Sequence, residues 1–157
     1  MCRSASRFYG GDLPPLPGHQ VDEQSRGWNF LLDGAHNPAG VKALKHALRD
    51  FTRNRLILVW GAMNDKDLHT TLRDIAPPAD IIIFTRPESE RSARIGQLKG
   101  SLPTAMHQKV ICKEAVPAAL QQARILAGDR DLICIAGSLY LVGTARQLLL
   151  GGLINDE

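Results

Sequence analysis

Five times between Trp28 and Leu150, a short apolar run gives way to a longer segment whose apolar residues recur every three or four positions. The runs are Trp28–Leu32, Leu56–Trp60, Ile81–Thr85, Val110–Cys112 and Leu132–Ala136. A strand that is apolar at nearly every position must be covered on both sides, which is the mark of a parallel sheet with helices front and back. The intervening segments supply those helices. Val41, Leu44, Leu48 and Phe51 share one face of a helix from Pro38 to about Phe51, and Leu68, Leu72 and Ile75 lie on one that Pro77-Pro78 stops. Further helices are expected near Ala93–Lys99, over Ala115–Ala127 with Val116, Leu120 and Ala123 inward, and over Leu139–Leu150 before Gly151-Gly152. The alternation predicts a Rossmann-like, doubly wound α/β fold with a mainly parallel sheet of five or six strands.

Residues 1–27 break this rhythm with Gly10-Gly11, Pro14-Pro15 and Pro17-Gly18, and read as a linker or long loop. Within them, Arg7-Phe8-Tyr9 is a candidate antiparallel strand beside Trp28–Leu32. The α/β domain proper is expected over 28–157.

Right-handed crossovers bring the carboxyl ends of all five strands to one edge of the sheet, where open α/β folds bind ligands. Four loops gather there: Asp33–Asn37, Gly61–Asp67, Thr85–Arg94 and Gly137–Tyr140. They carry Asp33 and His36, Asp65-Lys66-Asp67, the arginines Arg86, Arg91 and Arg94, and Ser138 at a helix start. A carboxylate, an imidazole, a lysine, arginines and a helix N-terminus together suit a small, multiply negative ligand such as an amino-dicarboxylate or a nucleotide phosphate. Each residue also has a plain structural reading: Asp33 as a turn former, His36 as a solvated loop residue, Asp65-Lys66-Asp67 as a cap for the next helix, and Ser138 as an N-cap. Asn37 is placed to cap the first helix, with Pro38 at its first position.

Other chemistries lack their signatures. There is no GxxxxGK[ST] loop, no GxGxxG after the first strand and no GxSxG around Ser138. His19, His46, His69 and His107 show no metal-ligand spacing, so no metal site is expected in this chain. The 19 basic and 16 acidic side chains leave a formal charge of +3 with no Lys/Arg block, which argues against nucleic acid. No apolar run is long enough to span a bilayer, so no membrane partner is expected. Three cysteines, Cys2, Cys112 and Cys134, form no CxxC pair; Cys112 and Cys134 sit in apolar runs and are expected to be buried thiols of a cytoplasmic protein.

Three of the loops also carry longer motifs. Leu32-Asp33-Gly34-Ala35-His36-Asn37-Pro38 resembles the DGAHNP signature of folylpolyglutamate synthase and dihydrofolate synthase, members of the Mur ligase superfamily. Gly61-Ala62-Met63-Asn64-Asp65-Lys66-Asp67 is similar to the family's G-x-x-x-DKD loop, and Gly137-Ser138-Leu139-Tyr140-Leu141-Val142-Gly143 to its GSLYLVG segment. The resemblance covers roughly Trp28–Leu150, the family's C-terminal domain only.

That resemblance implies an ATP-dependent ligase, in which a folate or dihydropteroate carboxylate is phosphorylated and the amine of L-glutamate attacks the acyl phosphate. It implies that Asp33 contacts ATP, that His36 lies near the phosphates and the incoming glutamate as a catalytic residue with Asp33, and that Lys66 and Ser138 join His36 in holding glutamate. Magnesium and most ATP contacts would belong to an ATPase domain that this sequence lacks, which makes that domain the expected partner and the chain alone inactive. The family's interdomain WPGR has only Ser4-Ala5-Ser6-Arg7 as a counterpart, making Arg7 the candidate for the arginine that reaches ATP. Two alternatives stand beside this reading: a non-catalytic small-molecule binding module of the same fold, and a cell-wall amino-acid ligase domain.

Overall fold

The computed structural model describes residues 5–8 and 28–151, with side chains for 28–149. The readings of 1–4, 9–27 and 152–157, including the linker, Tyr9, Cys2 and His19, fall outside the described residues.

Six strands form one sheet: β1 (Ala5–Phe8), β2 (Asn29–Asp33), β3 (Leu56–Trp60), β4 (Ile81–Phe84), β5 (Val110–Cys112) and β6 (Leu132–Ala136). Their order is β1-β2-β6-β3-β4-β5. β1 runs antiparallel along β2, with Arg7 opposite Leu31, and the other five strands are mutually parallel. This is the expected doubly wound α/β fold. The chain steps outward from β2 to β3, β4 and β5, then returns to insert β6 between β2 and β3.

That reversal decides which helix covers which face. α1 (Pro38–Leu48), α2 (Leu68–Ile75) and α3 (Ile95–Gly100) cover one side, where Leu44, Leu48, Leu72, Ile75 and Leu98 pack on Leu58, Trp60, Ile82 and Cys134. α4 (Val116–Leu126) and α5 (Leu139–Gly151) cover the other, with Leu120, Ala123, Leu141 and Ala145 against Phe30, Ile57, Val59 and Ile135. Alternate residues of each central strand thus enter opposite cores, and all five residues of β3 and of β6 are buried. No helix among the described residues is long and apolar enough to cross a membrane.

Several boundaries differ from those expected, for identifiable reasons. β2 begins at Asn29 because Trp28 is drawn aside: its indole Nε1 donates to the Arg124 carbonyl at 3.1 Å and its ring lies 3.9 Å from the Arg124 guanidinium. α1 stops at Leu48, short of Phe51, where Arg53 Nη1 donates to the Leu48 and Phe51 carbonyls and closes the helix end from outside. α3 starts two residues later than the apolar pattern suggests, because Ala93 is held by the Ala62 carbonyl. A 3-10 helix over Thr104–Lys109 carries no apolar repeat and had no counterpart in the sequence reading.

The cysteines need one correction. Cys134 is buried in the central strand, and burial pushes its thiol well above its usual pKa; Cys112, expected to be buried, is exposed. β5 is the last strand of the sheet, so an apolar run there covers less than the same run would at the centre.

Candidate ligand-binding cleft

The parallel register ends flush: Asp33 of β2 and Trp60 of β3 both pair with Ala136 of β6, and Phe84 pairs with Trp60. The loops that follow are therefore side by side, and main-chain hydrogen bonds join them. Gly137 N donates to the Ala35 carbonyl at 2.9 Å, Ala93 N to the Ala62 carbonyl at 2.8 Å and Asn64 N to the Arg91 carbonyl at 2.6 Å. Met63 and Ser92 add a short antiparallel bridge.

Asp33 ends β2 with its side chain 7% exposed, and its Oδ1 accepts from Ala35 N at 2.9 Å. This tight turn keeps Ala35 in the core and brings His36, half-buried, to the sheet edge. His36 follows, its Nδ1 donating to the Gly34 carbonyl at 2.8 Å. A carbonyl can only accept, so Nδ1 carries a hydrogen, and the tautomer this bond selects has its lone pair on Nε2. Asn37 then caps α1, its Oδ1 accepting from Gly40 N at 2.8 Å with Pro38 in the first turn, as the sequence suggested.

In the second loop Asp67 caps α2 by accepting from Thr70 N at 3.0 Å, and that hydrogen bond lowers its pKa. Asp65 instead forms an ion pair with Arg91 of the third loop, which lowers the Asp65 pKa through the hydrogen bond from the guanidinium. Lys66, between these two carboxylates in sequence, is half-exposed. Ser138 is 2% exposed, and its Oγ accepts from Leu141 N at 2.9 Å as the cap of α5.

His36, Met63, Lys66, Arg91, Ser138, Leu139 and Tyr140 line one cleft of about 150 Å³. Three of the candidate residues, His36, Lys66 and Ser138, are therefore brought together from separate loops. Asp33 lies behind them and does not line the cleft, while the Arg7 side chain lies outside the described residues. Arg94 is elsewhere, at the start of α3. Met63, Leu139 and Tyr140 are lining residues that sequence reasoning missed as such. Leu139 and Tyr140, at 63% and 59% exposed, could have been suspected from their position inside the GSLYLVG segment.

The cleft holds two cationic side chains, an imidazole with a free nitrogen and the first turn of a helix, an assembly suited to carboxylates or phosphate. Its volume is below the roughly 300–1,000 Å³ of ordinary ligand sites. Among the described residues no group of three or more His, Cys, Asp and Glu side chains could hold a metal ion, so these residues do not fit a resident metal.

The family model for the Mur ligase glutamate ligase domain matches residues 19–139. The chain belongs to this family. It is 34% identical over 116 residues to a probable bifunctional folylpolyglutamate synthase/dihydropteroate synthase of Halobacterium salinarum, which covers 74% of this chain and 14% of that protein. It is 29% identical over 138 residues to the UDP-N-acetylmuramoyl-L-alanyl-D-glutamate–2,6-diaminopimelate ligase of Clostridium botulinum, over 80% of this chain and 27% of that one. Among solved structures, the Mycobacterium tuberculosis folylpolyglutamate synthase with ADP superposes with a TM-score of 0.72 at 29% identity, over 76% of this chain and 29% of that one. A bifunctional folylpolyglutamate synthase/dihydrofolate synthase with Mn, AMPPNP and L-glutamate bound gives 0.68 at 28% identity, over 83% and 31%. The chain thus spans between about one seventh and one third of the length of these relatives.

Proposed function

We propose that this chain is the glutamate-holding domain of an ATP-dependent ligase of the folate branch, adding L-glutamate to folate or dihydropteroate through an acyl phosphate. The observation that carries the reading is the meeting of His36, Lys66 and Ser138, from three separate loops, in one cleft. L-Glutamate offers two carboxylates and one ammonium. Lys66 provides a cationic partner for one carboxylate, Arg91 keeps guanidinium N–H donors beyond the one engaged by Asp65, and the α5 N-terminus at Ser138 adds main-chain donors. His36 Nε2 takes a proton from the ammonium. The freed amine then attacks the acyl carbon, the new C–N bond forms, and the C–O bond to phosphate breaks, the second nitrogen proton leaving with the phosphate as hydrogen phosphate. Asp33 acts by ordering the turn that aims His36, with the nucleotide contact of Asp33 and Arg7 retained as part of the proposal. ATP and its metal are held mainly by the ATPase domain, and no step here is assigned to a metal. Solved relatives crystallised with ADP, and with Mn, AMPPNP and L-glutamate, support these ligand classes.

The test is reconstitution: this chain, an ATPase-bearing half of a folate ligase, ATP, magnesium, folate or dihydropteroate, and L-glutamate. Glutamate-dependent ADP release that Lys66→Ala and His36→Ala abolish is the expected result. A folded, associated pair that releases no ADP would instead favour a non-catalytic binding module. The similarity to a diaminopimelate ligase keeps a second reading, and use of 2,6-diaminopimelate with a muramoyl-peptide acceptor in place of glutamate would select it.

A further inference from the structure

The second and third cleft loops are joined by a seam that ends in one ion pair. Ala93 N donates to the Ala62 carbonyl at 2.8 Å, Met63 and Ser92 form the short bridge, and Asn64 N donates to the Arg91 carbonyl at 2.6 Å. At the end of this seam Arg91 Nη2 donates to Asp65 Oδ2. Arg91 lines the cleft, and Asp65 stands behind it without lining the cleft itself.

The pairing is selective. Glu88 and Glu90 are exposed in the loop that carries Arg91, yet among the described residues its ion pair is with Asp65, which in turn has Lys66 as its sequence neighbour. The third loop is braced as well: Ser92 Oγ donates to the Pro87 carbonyl at 2.7 Å, and Ser89 Oγ accepts from Arg91 N at 3.2 Å. The Arg91 backbone is thus held at its N–H and at its carbonyl, and Asp65 holds the far end of the side chain.

With side chains 61% and 46% exposed, the pair adds little to folding. Its effect falls on Arg91. A loose arginine must be ordered when a ligand binds, which weakens affinity by about 2–10-fold, whereas one already held by a single N–H presents its other four without that loss. Charge argues the other way. The hydrogen bond from Arg91 lowers the Asp65 pKa, so Asp65 is negative at neutral pH, and removing that charge from beside the cleft would tighten anion binding. Pose and charge therefore give opposite signs for one substitution.

We propose that Asp65 is a positioning residue that holds the Arg91 guanidinium in a fixed pose at the cleft wall, where its remaining N–H groups receive an anionic ligand. Resting on the ligase reading, that ligand is the amino-acid substrate, met through one of its carboxylates.

Nitrogen-15 relaxation of the Arg91 Nε–H group reads the order of the side chain, and the Lys66 and Ser138 amides read binding of L-glutamate and of inorganic phosphate. Asp65→Ala is expected to free the Arg91 Nε–H, to leave the melting temperature within about 2 °C, and to weaken L-glutamate binding by about 2–10-fold. Added salt should leave most of that loss in place, since it screens charge and does not restore a pose. In an Arg91→Ala background the same substitution should weaken binding no further. Asp65→Asn, whose amide oxygen can still accept from Nη2, should recover part of the order. An Arg91 equally ordered without Asp65, tighter anion binding by Asp65→Ala, or an equal loss in the Arg91→Ala background would each overturn the proposal. Silence toward L-glutamate, with phosphate showing the expected pattern, removes the ligase reading and keeps the positioning role. Silence toward both anions overturns the two together.

Discussion

Replacing Gly137 by alanine tests the geometry on which the cleft depends. Leaving β6, the chain takes φ of +113° at this residue, the one positive φ among the described residues. An added Cβ would lie 2.5 Å from the Gly61 carbonyl oxygen and 2.9 Å from the Trp60 ring. Two penalties combine. An L-residue held at positive φ costs about 1–2 kcal/mol. The overlap is with backbone and with a fully buried indole rather than with the end of a flexible side chain, and such overpacking costs about 1–3 kcal/mol. The sum, about 2–5 kcal/mol, corresponds to a melting temperature lower by about 10 °C, at about 2–4 °C per kcal/mol for a domain of this size. Gly143→Ala is the matched control: the position is an exposed site within α5, an added Cβ meets nothing within 4 Å, and the change should stabilise by about 0.5–1 kcal/mol. Thermal melts followed by circular dichroism read both. A Gly137→Ala protein melting within about 2 °C of the parent would refute the close approach of β6, β3 and the cleft loops described above.

Substitutions at four other positions have expected outcomes. Asn37→Ala removes the α1 cap and should cost about 1 kcal/mol in urea unfolding, whereas Asn37→Asp should cost far less. Burial opposes the charge on Asp131, yet hydrogen bonds from the Arg55 side chain and from Gly128 N and Arg55 N outweigh it and lower its pKa. A depressed carboxylate contributes stability above its unfolded pKa of about 3.9 and loses it as pH falls through the folded value, so Asp131→Asn should flatten the acid limb of a stability–pH profile while lowering the neutral plateau. In the reconstituted pair, His36→Ala should abolish ADP release and leave the melting temperature within about 2 °C. Asp33→Ala should lower both quantities, because Asp33 also holds the Ala35 N–H.

Much of this architecture can be read in the residues themselves. Leu56–Trp60 and Leu132–Ala136 are apolar at every position, and both are central strands buried on two faces with the bounds their sequences indicate. Legibility fades where one distant contact decides the outcome. No local pattern tells that Arg53 will fold back to close α1 or that Trp28 will leave β2 for Arg124. Edge position misleads in the same way: Val110-Ile111-Cys112 reads like a buried strand, and only the order of the sheet exposes Cys112. In the cleft, His36, Lys66 and Ser138 could be named because they stand at strand ends within recognisable motifs. Arg91 could be named only as one of three loop arginines; its selection comes from Asp65 and from the bond between Asn64 N and the Arg91 carbonyl, neither of which the spacing reveals.

The cleft loops are tied to one another chiefly through main-chain groups, at Gly137–Ala35, Ala93–Ala62 and Asn64–Arg91. Amide and carbonyl are common to every residue type apart from proline's missing hydrogen, so these ties survive most exchanges of the side chains they support. A scaffold joined in this way can change what it recognises one tip at a time without first coming apart. Evolution, or a protein engineer, could change the side chains at Lys66, Arg91 or Tyr140 and leave the underlying seam intact.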